Sequence, residues 1–329
     1  MRCSLPHPPD ALPALDDLAA FVRDHRSVQD KLSIHRTYDE PLGTSVPFEH
    51  PFAPEVKRDV RIGDDCAALP NGTGGYLLFA AEGMLPAFVQ NHPWFAGYAG
   101  VLVNLSDICA MGGLPLAITD MLWAKDRPDG EAVWEGMRAA SETYGVPIVG
   151  GHTSYRCDHR HLGVAVLGQA QRLLTSYDAQ PGETLLMAID LDGRYFQDDP
   201  FWDAATDADA DRLRALLRLP HTVAERGWSR AGKDISMGGL VGTLAMLLHT
   251  SEVGATLRLD TVPKPPDVPW RKWLVSFPSF GFLLTAASDH VDAICELFSS
   301  HDIACAAVGQ IESEPGLRLT SADQRAQIS

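Results

Sequence analysis

The order of strand-like and helix-like segments constrains the fold of this chain more than any other sequence feature. Apolar runs of strand length at 76–84, 115–124 and 161–171 alternate with helical patterns at 94–111 and 129–145. A βαβαβ order that is followed by further segments of the same kinds predicts an α/β or α+β fold, with sheets backed by helices.

The flanking regions add further elements to this prediction. Before the first run, the patterns predict an amphipathic helix at 11–26 and a strand over 55–70 that ends in a turn. A short strand is predicted at 146–151, between the helix at 129–145 and the run at 161–171. Beyond residue 171, the patterns predict strands near 184–190, 255–259, 281–286 and 303–311, and helices near 212–230, 238–250 and 289–300. The stretch 192–211 contains seven Asp and is predicted to be a solvated excursion.

A domain boundary is predicted at the turn dipeptide Pro181-Gly182 and the polar segment before it. The length of 329 residues also fits two domains of about 150 residues each. We therefore expect an N-terminal domain at 1–172 and a C-terminal domain at 173–329.

The charge balance limits the partners of the chain. Asp and Glu number 43 against 27 Lys and Arg, which gives a net charge of −16 and disfavours nucleic acids and anionic membranes. The N-terminus lacks the apolar core of a signal peptide, and no later apolar run is long enough to cross a bilayer. The six cysteines, Cys3 among them, lack CxxC spacing. We expect a cytoplasmic protein with reduced thiols and a small-molecule substrate.

Carboxylates at turns and helix boundaries are the densest chemical signal. They are Asp64, Asp65, Glu82, Asp107 and Asp234. Carboxylate oxygens suit Mg²⁺, which proteins bind with one or two carboxylates plus substrate phosphates. Asp107 interrupts an apolar helix, where a buried carboxylate is costly unless a cation or a donor meets it. The alternatives are that Asp64 and Asp65 are an N-cap and its solvated neighbour, and that Asp107 points to water.

The segment 227–233 fits the P-loop spacing GxxxxGK, but its chemistry argues against that assignment. Asp234 stands where Ser or Thr should meet Mg²⁺, and a helical segment precedes the loop instead of a strand. We predict instead that Asp234 ends a short strand and that Gly238-Gly239 opens a helix with an anion site at its N-terminus. Lys233 is then a surface lysine or a weaker candidate contact for phosphate.

A second cluster of possible ligands lies in the segment 150–161. It contains His152, Cys157, Asp158, His159 and His161, which are types of side chain that bind transition metals. The spacing matches no zinc pattern, and a polar hairpin between two strands explains the segment as well. Both interpretations stay open at this point.

Three motifs, GDDCAAL, NLSDICAMGGLP and VGGHT, resemble in order and separation the ATP-dependent superfamily of aminoimidazole ribonucleotide synthetase, the PurM-like proteins. That superfamily includes thiamine-monophosphate kinase and selenophosphate synthetase. The segments PGETLLM, DISMGGL and GFLLTA with VGQI extend the resemblance over about residues 58–320.

The resemblance implies a two-domain PurM-like fold and a homodimer. The N-terminal sheet would pair with a second copy into a barrel, and the C-terminal domain would form an α/β sandwich. ATP would lie in a cleft, with its phosphates held through Mg²⁺ by the acidic motifs.

The resemblance also assigns roles to individual residues. Asp64, Asp65, Glu82 and Asp107 would bind the metal, and Asp107 and Asp234 would be catalytic. We expect the nucleotide to be bound by Asp64, Asp65, Gly151 and His152 of these motifs, together with Lys233 and the helix-opening Gly238 and Gly239. Glu82 and His152 stand where the kinase has Asp, and Met237 replaces the second Asp of the DxSDG motif.

The sequence therefore predicts an Mg-ATP-dependent kinase or synthetase that acts on a small acidic or carbonyl-bearing metabolite and is most similar to thiamine-monophosphate kinase. The alternative is an ATP-binding subunit that has lost catalysis and serves a partner enzyme. The changes at Glu82, His152 and Met237 are compatible with that alternative.

Overall fold

The computed structural model describes residues 12–33, 42–51, 53 and 55–328. Cys3 lies outside the described residues. The chain forms two compact units that are interleaved in sequence. The first unit comprises 39–175 and 205–234, and the second comprises 176–204, 235–329 and the residues before 39. The division into an N-terminal domain at 1–172 and a C-terminal domain at 173–329 stays a prediction.

Helices and strands alternate along the described residues, as the sequence patterns predict. The helices are α1 (Leu15–Asp24), α2 (Arg26–Ser33), α3 (Pro86–Asn91), α4 (Pro93–Ala110), α5 (Arg127–Tyr144), α6 (Ala210–Leu216), α7 (Arg218–Glu225), α8 (Gly239–Ser251), α9 (Trp270–Trp273) and α10 (Val291–Ser299). The strands are β1 (Ser45–Glu49), β2 (Lys57–Arg61), β3 (Ala67–Pro70), β4 (Tyr76–Gly83), β5 (Leu114–Ala124), β6 (Ile148–Tyr155), β7 (His161–Ala170), β8 (Thr184–Ile189), β9 (Arg194–Tyr195), β10 (Phe201–Asp203), β11 (Ala231–Asp234), β12 (Gly254–Arg258), β13 (Phe277–Pro278), β14 (Gly281–Ala286), β15 (Ala304–Glu312), β16 (Gly316–Ser321) and β17 (Gln324–Gln327).

The first unit is built on a five-stranded sheet in the order β3-β4-β7-β5-β6. Strand β5 pairs antiparallel with β7 and parallel with β6. Side chains alternate between the two faces, so that Leu78, Ile118 and Val164 are buried on the face that α4 and α5 cover. The opposite face carries exposed apolar side chains such as Phe79 and Met121.

Two glycines allow α4 and α5 to approach each other closely. A Cβ atom at Gly97 would overlap the backbone oxygen of Val133, and a Cβ at Gly136 would overlap that of Trp94. The helices therefore meet backbone to backbone at these points. This contact fixes α4, which carries Asp107, against α5 and the sheet.

In the second unit, six strands lie side by side in the order β14-β8-β15-β12-β16-β17. Helix α8 contacts β14 and β16, and α10 packs on β15 and β8. The N-terminal helix α2 packs on α8, where Lys31 is buried and donates hydrogen bonds to Ser236 Oγ at 2.6 Å and Thr243 Oγ1 at 3.1 Å.

Several predicted elements differ in detail from the structure. The prediction of a single strand over 55–70 is wrong, because a turn that carries Asp64 and Asp65 separates β2 from β3. The helix predicted at 212–230 is two helices that meet at Leu217, with Pro220 in the first turn of α7. The hairpin interpretation of 150–161 is also wrong, because β5 lies between β6 and β7.

The acidic stretch 192–211 is not a solvated excursion. It contains β9 and β10, and the Trp202 side chain between its aspartates is buried. The Trp202 indole N–H donates to the backbone oxygen of Asp190 at 3.0 Å, and its ring meets that of Trp273 edge to face at 5.4 Å. Burial of the aromatic ring outweighs the solvation of the nearby carboxylates.

In the part of the chain that the structure describes, none of the helices combines the length and the apolar character that crossing a bilayer requires.

Candidate functional site

Asp107 lies near the C-terminal end of α4, and its side chain is turned toward the interior of the first unit. Only 7% of the residue is exposed, so the alternative in which it points to water is wrong. Twelve of the 18 residues of this helix are buried, because the helix is apolar on most sides. Asn104, one turn before Asp107, is also fully buried. The fold thus places a carboxylate where little of it is accessible to water.

Asp65 reaches the same region from the turn between β2 and β3. Gly63 takes a positive φ of 92°, and the Asp65 backbone N–H donates to Asp64 Oδ1 at 2.9 Å. The next residue fastens this turn to the end of α4, since the backbone N–H of Cys66 donates to Met111 Sδ at 3.3 Å and its thiol donates to the same sulfur at 3.2 Å. Met111 therefore helps to bring Asp65 close to Asp107.

Lys233 and Asp234 come from the short strand β11, which confirms the prediction that Asp234 ends a strand. Gly232 N–H donates to the backbone oxygen of Thr175 at 3.1 Å, which anchors the strand inside the first unit. Both residues are buried, at 4% exposure for Lys233 and 3% for Asp234. The expectation of a surface lysine is wrong, because Lys233 is buried and its ammonium donates to Asp65 Oδ1.

These elements bring three carboxylates together. Asp65, Asp107 and Asp234 each offer an oxygen, and the three oxygens lie within 4.8 Å of one another. Among the described residues, no other group of three or more His, Cys, Asp or Glu side chains meets this criterion. The segments that carry them are 42 and 127 residues apart in sequence, so only the fold of the first unit unites them.

The electrostatics of this cluster, which we call the carboxylate cluster, depend on its burial. Burial raises the pKa of Asp107 well above its usual value, and the charges of Asp234, Glu82 and Asp65 raise it further, whereas Lys233 lowers it. For Lys233, burial lowers the pKa, but the neighbouring carboxylates outweigh burial and leave its pKa above the usual value. The neighbouring carboxylates therefore favour the charged form of Lys233.

The donor set of the cluster fits a magnesium ion. All three ligand groups are carboxylates, and hard cations such as Mg²⁺ prefer oxygen ligands. Asp65 Oδ2 is buried and has no hydrogen-bond partner, so one lone-pair site faces the interior with nothing to satisfy it. Glu82, on β4, and Asp64 lie outside the three-oxygen group but near enough for their charges to act on Asp107 and Lys233.

Other predicted site residues lie elsewhere. His152 is exposed on β6 in register with Met121, on the open face of the sheet, while Asp107 lies on the helix side. Gly151 pairs with Asp120, and a Cβ at Gly151 would overlap the Asp120 carboxylate, so glycine is required there for packing. Gly238 is the N-cap of α8 in the second unit, and Gly239 begins that helix. Nucleotide binding by these residues stays a prediction.

The residues of 150–161 do not form a group with metal-ligand spacing in the structure.

The sequence analysis does not identify two residues of the first unit that the structure makes prominent. Met111 ends the helical pattern at 94–111, and nothing in the sequence indicates that its thioether holds the Asp65 turn. Asp120 interrupts an apolar strand, and that interruption was the available signal for a buried carboxylate.

Comparison with known proteins gives consistent similarities over most of the chain. The family model of AIR synthase related proteins matches with its N-terminal domain at residues 63–170 and with its C-terminal domain at 184–321. An uncharacterized protein of Synechocystis sp. is 46% identical over 262 residues, which cover 79% of this chain and 80% of that protein.

Solved structures show the same fold at low sequence identity. Thermotoga maritima PurL complexed with ADP superposes with a TM-score of 0.70 at 21% identity, over 80% of this chain and 45% of the PurL chain. AaThiL complexed with AMPPCP and TMP gives a TM-score of 0.63 at 19% identity, over 81% of this chain and 91% of that chain. The chain thus spans less than half the length of the PurL chain that it matches.

Proposed function

Because this chain belongs to the family of AIR synthase related proteins, within the PurM-like superfamily, we propose that it binds Mg-ATP and uses it to phosphorylate or activate a small acidic or carbonyl-bearing metabolite. The observation that carries the proposal is the convergence of three buried carboxylates, Asp65, Asp107 and Asp234, in one compact unit.

The roles of the residues follow from their positions. Asp65 and Asp107 would hold Mg²⁺, with Asp64 and Glu82 contributing charge nearby, and Asp107 and Asp234 would be the catalytic pair. When bound, Mg²⁺ offsets the negative charge of the phosphates during transfer. The protein supplies position and exclusion of water, since each of the three carboxylates is held by a different element of a packed unit.

The comparisons support the nucleotide more than the acceptor. One structural neighbour, PurL, was solved with ADP, and another, AaThiL, was solved with AMPPCP and TMP. The positions that differ from the kinase motifs, Glu82, His152 and Met237, are the reason why we leave the acceptor at the level of a chemical class. Lys233, Gly151, His152, Gly238 and Gly239 remain proposed contacts for the nucleotide.

We further propose that the open face of the five-stranded sheet pairs with a second copy of the chain. This face is lined by exposed apolar side chains on adjacent strands: Leu77, Phe79, Met121, Trp123 and Leu167. Phe79 lies opposite Leu167 and Leu77 follows on the same face, while Met121 and Trp123 lie further along the sheet, in register with Gly163 and His161. Exposed apolar side chains at both ends of one sheet face are typical of a protein interface.

Calorimetric titration of the purified protein with ATP tests the function directly. We expect binding that requires Mg²⁺ and that Asp107→Ala weakens by about a hundredfold or more, because the variant loses a buried ligand of the metal. Asp158→Ala, at an exposed carboxylate of the same unit, is the matched control and should bind as the wild type does. Unchanged binding by Asp107→Ala would remove Asp107 from the site.

Turnover separates the two functions that the sequence leaves open. ADP formation should be measured with ATP, Mg²⁺ and a panel of small acidic and carbonyl-bearing metabolites. Stimulation by one class supports the kinase or synthetase. Tight ATP binding with no turnover against the whole panel supports the ATP-binding subunit that serves a partner enzyme.

A further inference from the structure

A buried lysine stands inside the carboxylate cluster, where a divalent ion would be expected to neutralise the charge. The side chains of Lys233 and Asp65 are 4% and 5% exposed, and the Lys233 ammonium contacts Asp65 Oδ1 directly. An ammonium so deeply buried is stable only when it is paired, and carboxylates so deeply buried need a cation for the same reason.

The ammonium and a divalent ion at this cluster would share the carboxylate of Asp65. Asp65 has two carboxylate oxygens, of which Oδ1 is taken by Lys233 and Oδ2 is buried without a partner. A metal ion that is shared by Asp65, Asp107 and Asp234 would lie close to the Lys233 ammonium, because all the ligand oxygens are within 4.8 Å of one another. Two cations at such a distance repel each other strongly in an interior of low dielectric constant.

The backbone keeps Lys233 in this position. It immediately precedes Asp234 in β11, and this strand is tied to Thr175 by two backbone hydrogen bonds, at 2.9 Å from Thr175 N–H to Arg230 O and at 3.1 Å from Gly232 N–H to Thr175 O. The side chain can leave Asp65 only by rotation about its own bonds, so the ammonium stays within reach of the cluster.

We propose that Lys233 is a built-in counter-ion that holds the carboxylate cluster together in the absence of a divalent ion and competes with that ion for Asp65. This inference deepens the proposed function and rests on the Mg²⁺ site argued above, but not on ATP as the ligand. The metal alone then binds weakly, and the phosphates of an incoming nucleotide, being anionic, favour metal binding by offering the ammonium another partner. Lys233 is a positioning residue for the metal ligands.

The test is the affinity of the metal alone, without nucleotide. Full-length protein freed of metal is titrated with Mg²⁺ by calorimetry and with Mn²⁺ by electron paramagnetic resonance. Lys233→Met should lower the dissociation constant of the metal about tenfold or more, because the competing charge is gone. Lys233→Arg keeps the positive charge that repels the metal, so its dissociation constant for the metal should stay within about threefold of that of the wild type. Lys125→Met, at an exposed lysine of the same unit, should have no effect.

The proposal is overturned if Lys233→Met binds the metal no more tightly than the wild type does. It is also overturned if Lys233→Arg tightens metal binding as much as Lys233→Met does. If Lys233→Met is unfolded without metal, thermal unfolding gives the answer, because Mg²⁺ should restore its folding and raise its melting temperature more than that of the wild type. A Lys233→Met variant that stays unfolded in excess Mg²⁺ also contradicts the proposal. Because no ATP is present, a negative result in this metal titration does not contradict the proposed binding of ATP. A negative result in the ATP titration likewise does not contradict the role of Lys233.

Discussion

At the scale of single residues, Asp120 shows how one buried carboxylate makes stability depend on pH. The residue is 4% exposed on the helix-covered face of the sheet, and its Oδ2 atom is buried without a hydrogen-bond partner. Burial raises the pKa of Asp120 to about 6, although a hydrogen bond with its own backbone opposes the shift. The space for this side chain exists because Gly151 on the neighbouring strand has no Cβ.

The sign of the pH effect follows from the raised pKa. The folded state holds the Asp120 proton more tightly than the unfolded chain, whose Asp pKa is about 3.9. The stability that this proton contributes is present below about pH 4 and is lost as the pH rises through about 6.

Asp120→Asn removes this titration. We therefore expect the free energy of unfolding of the variant, relative to the wild type, to improve by roughly 2–3 kcal/mol between pH 4 and pH 7. Urea denaturation at a series of pH values measures the difference. The exposed Asp158→Asn should show a constant difference from the wild type, and a flat profile for Asp120→Asn would mean that Asp120 ionises as it does in water.

At the scale of secondary-structure elements, the crossing of α4 over α5 positions the site. Gly97 and Gly136 let the two helices touch through their backbones, and α4 carries Asp107 about three turns beyond Gly97. A side chain at the crossing must push the helices apart, since the overlapping atom is a backbone oxygen that cannot rotate away. The position of Asp107 relative to Asp65 and Asp234 therefore depends on a contact far from the carboxylates.

Gly97→Ala tests this dependence. We expect the variant to lose about 1–3 kcal/mol of stability to overpacking, despite the better helix propensity of Ala, and to bind Mg-ATP more weakly. Thermal unfolding and calorimetry measure the two effects. Gly83→Ala, on β4, is the control, because a Cβ there meets nothing within 4 Å. A Gly97→Ala protein as stable as the wild type would show that the helices can separate without cost.

At the scale of the whole molecule, two features oppose each other. The open face of the five-stranded sheet exposes apolar side chains, among them Phe79 at 51% and Met121 at 42%, which favours association. The net charge of −16 per chain favours separation of two copies. Salt screens the repulsion and leaves the apolar attraction, so association should strengthen with ionic strength.

The homodimer is tested by sedimentation at several protein concentrations. We expect a dimer for the wild type and a monomer for Phe79→Glu, because the variant buries a carboxylate in an apolar contact. Met237→Glu, at an exposed methionine of the second unit, is the control and should stay dimeric. A wild type that is monomeric at all concentrations would exclude the homodimer. A dimeric Phe79→Glu variant would mean that the two copies meet at another surface.

Most helices and strands of this protein, and its superfamily, could be predicted from the amino-acid sequence. Periodicity located β4, β5, β7, α4 and α5 to within a few residues, because the apolar faces of strands and helices repeat over distances that a short window of sequence contains. The motifs also identified the superfamily and singled out the acidic residues, since a carboxylate in an apolar helix such as Asp107 needs an explanation wherever it occurs.

Which of these groups meet depends on how the helices and strands pack in three dimensions. The order of strands puts β5 between β6 and β7, the burial of Trp202 draws an acidic stretch into the fold, and the packing of β11 turns Lys233 from an expected surface residue into the cation of a carboxylate cluster. These outcomes depend on contacts between segments that are far apart in sequence. Local pattern carries no information about them, because the same strand or helix can pack against different neighbours without changing its own periodicity.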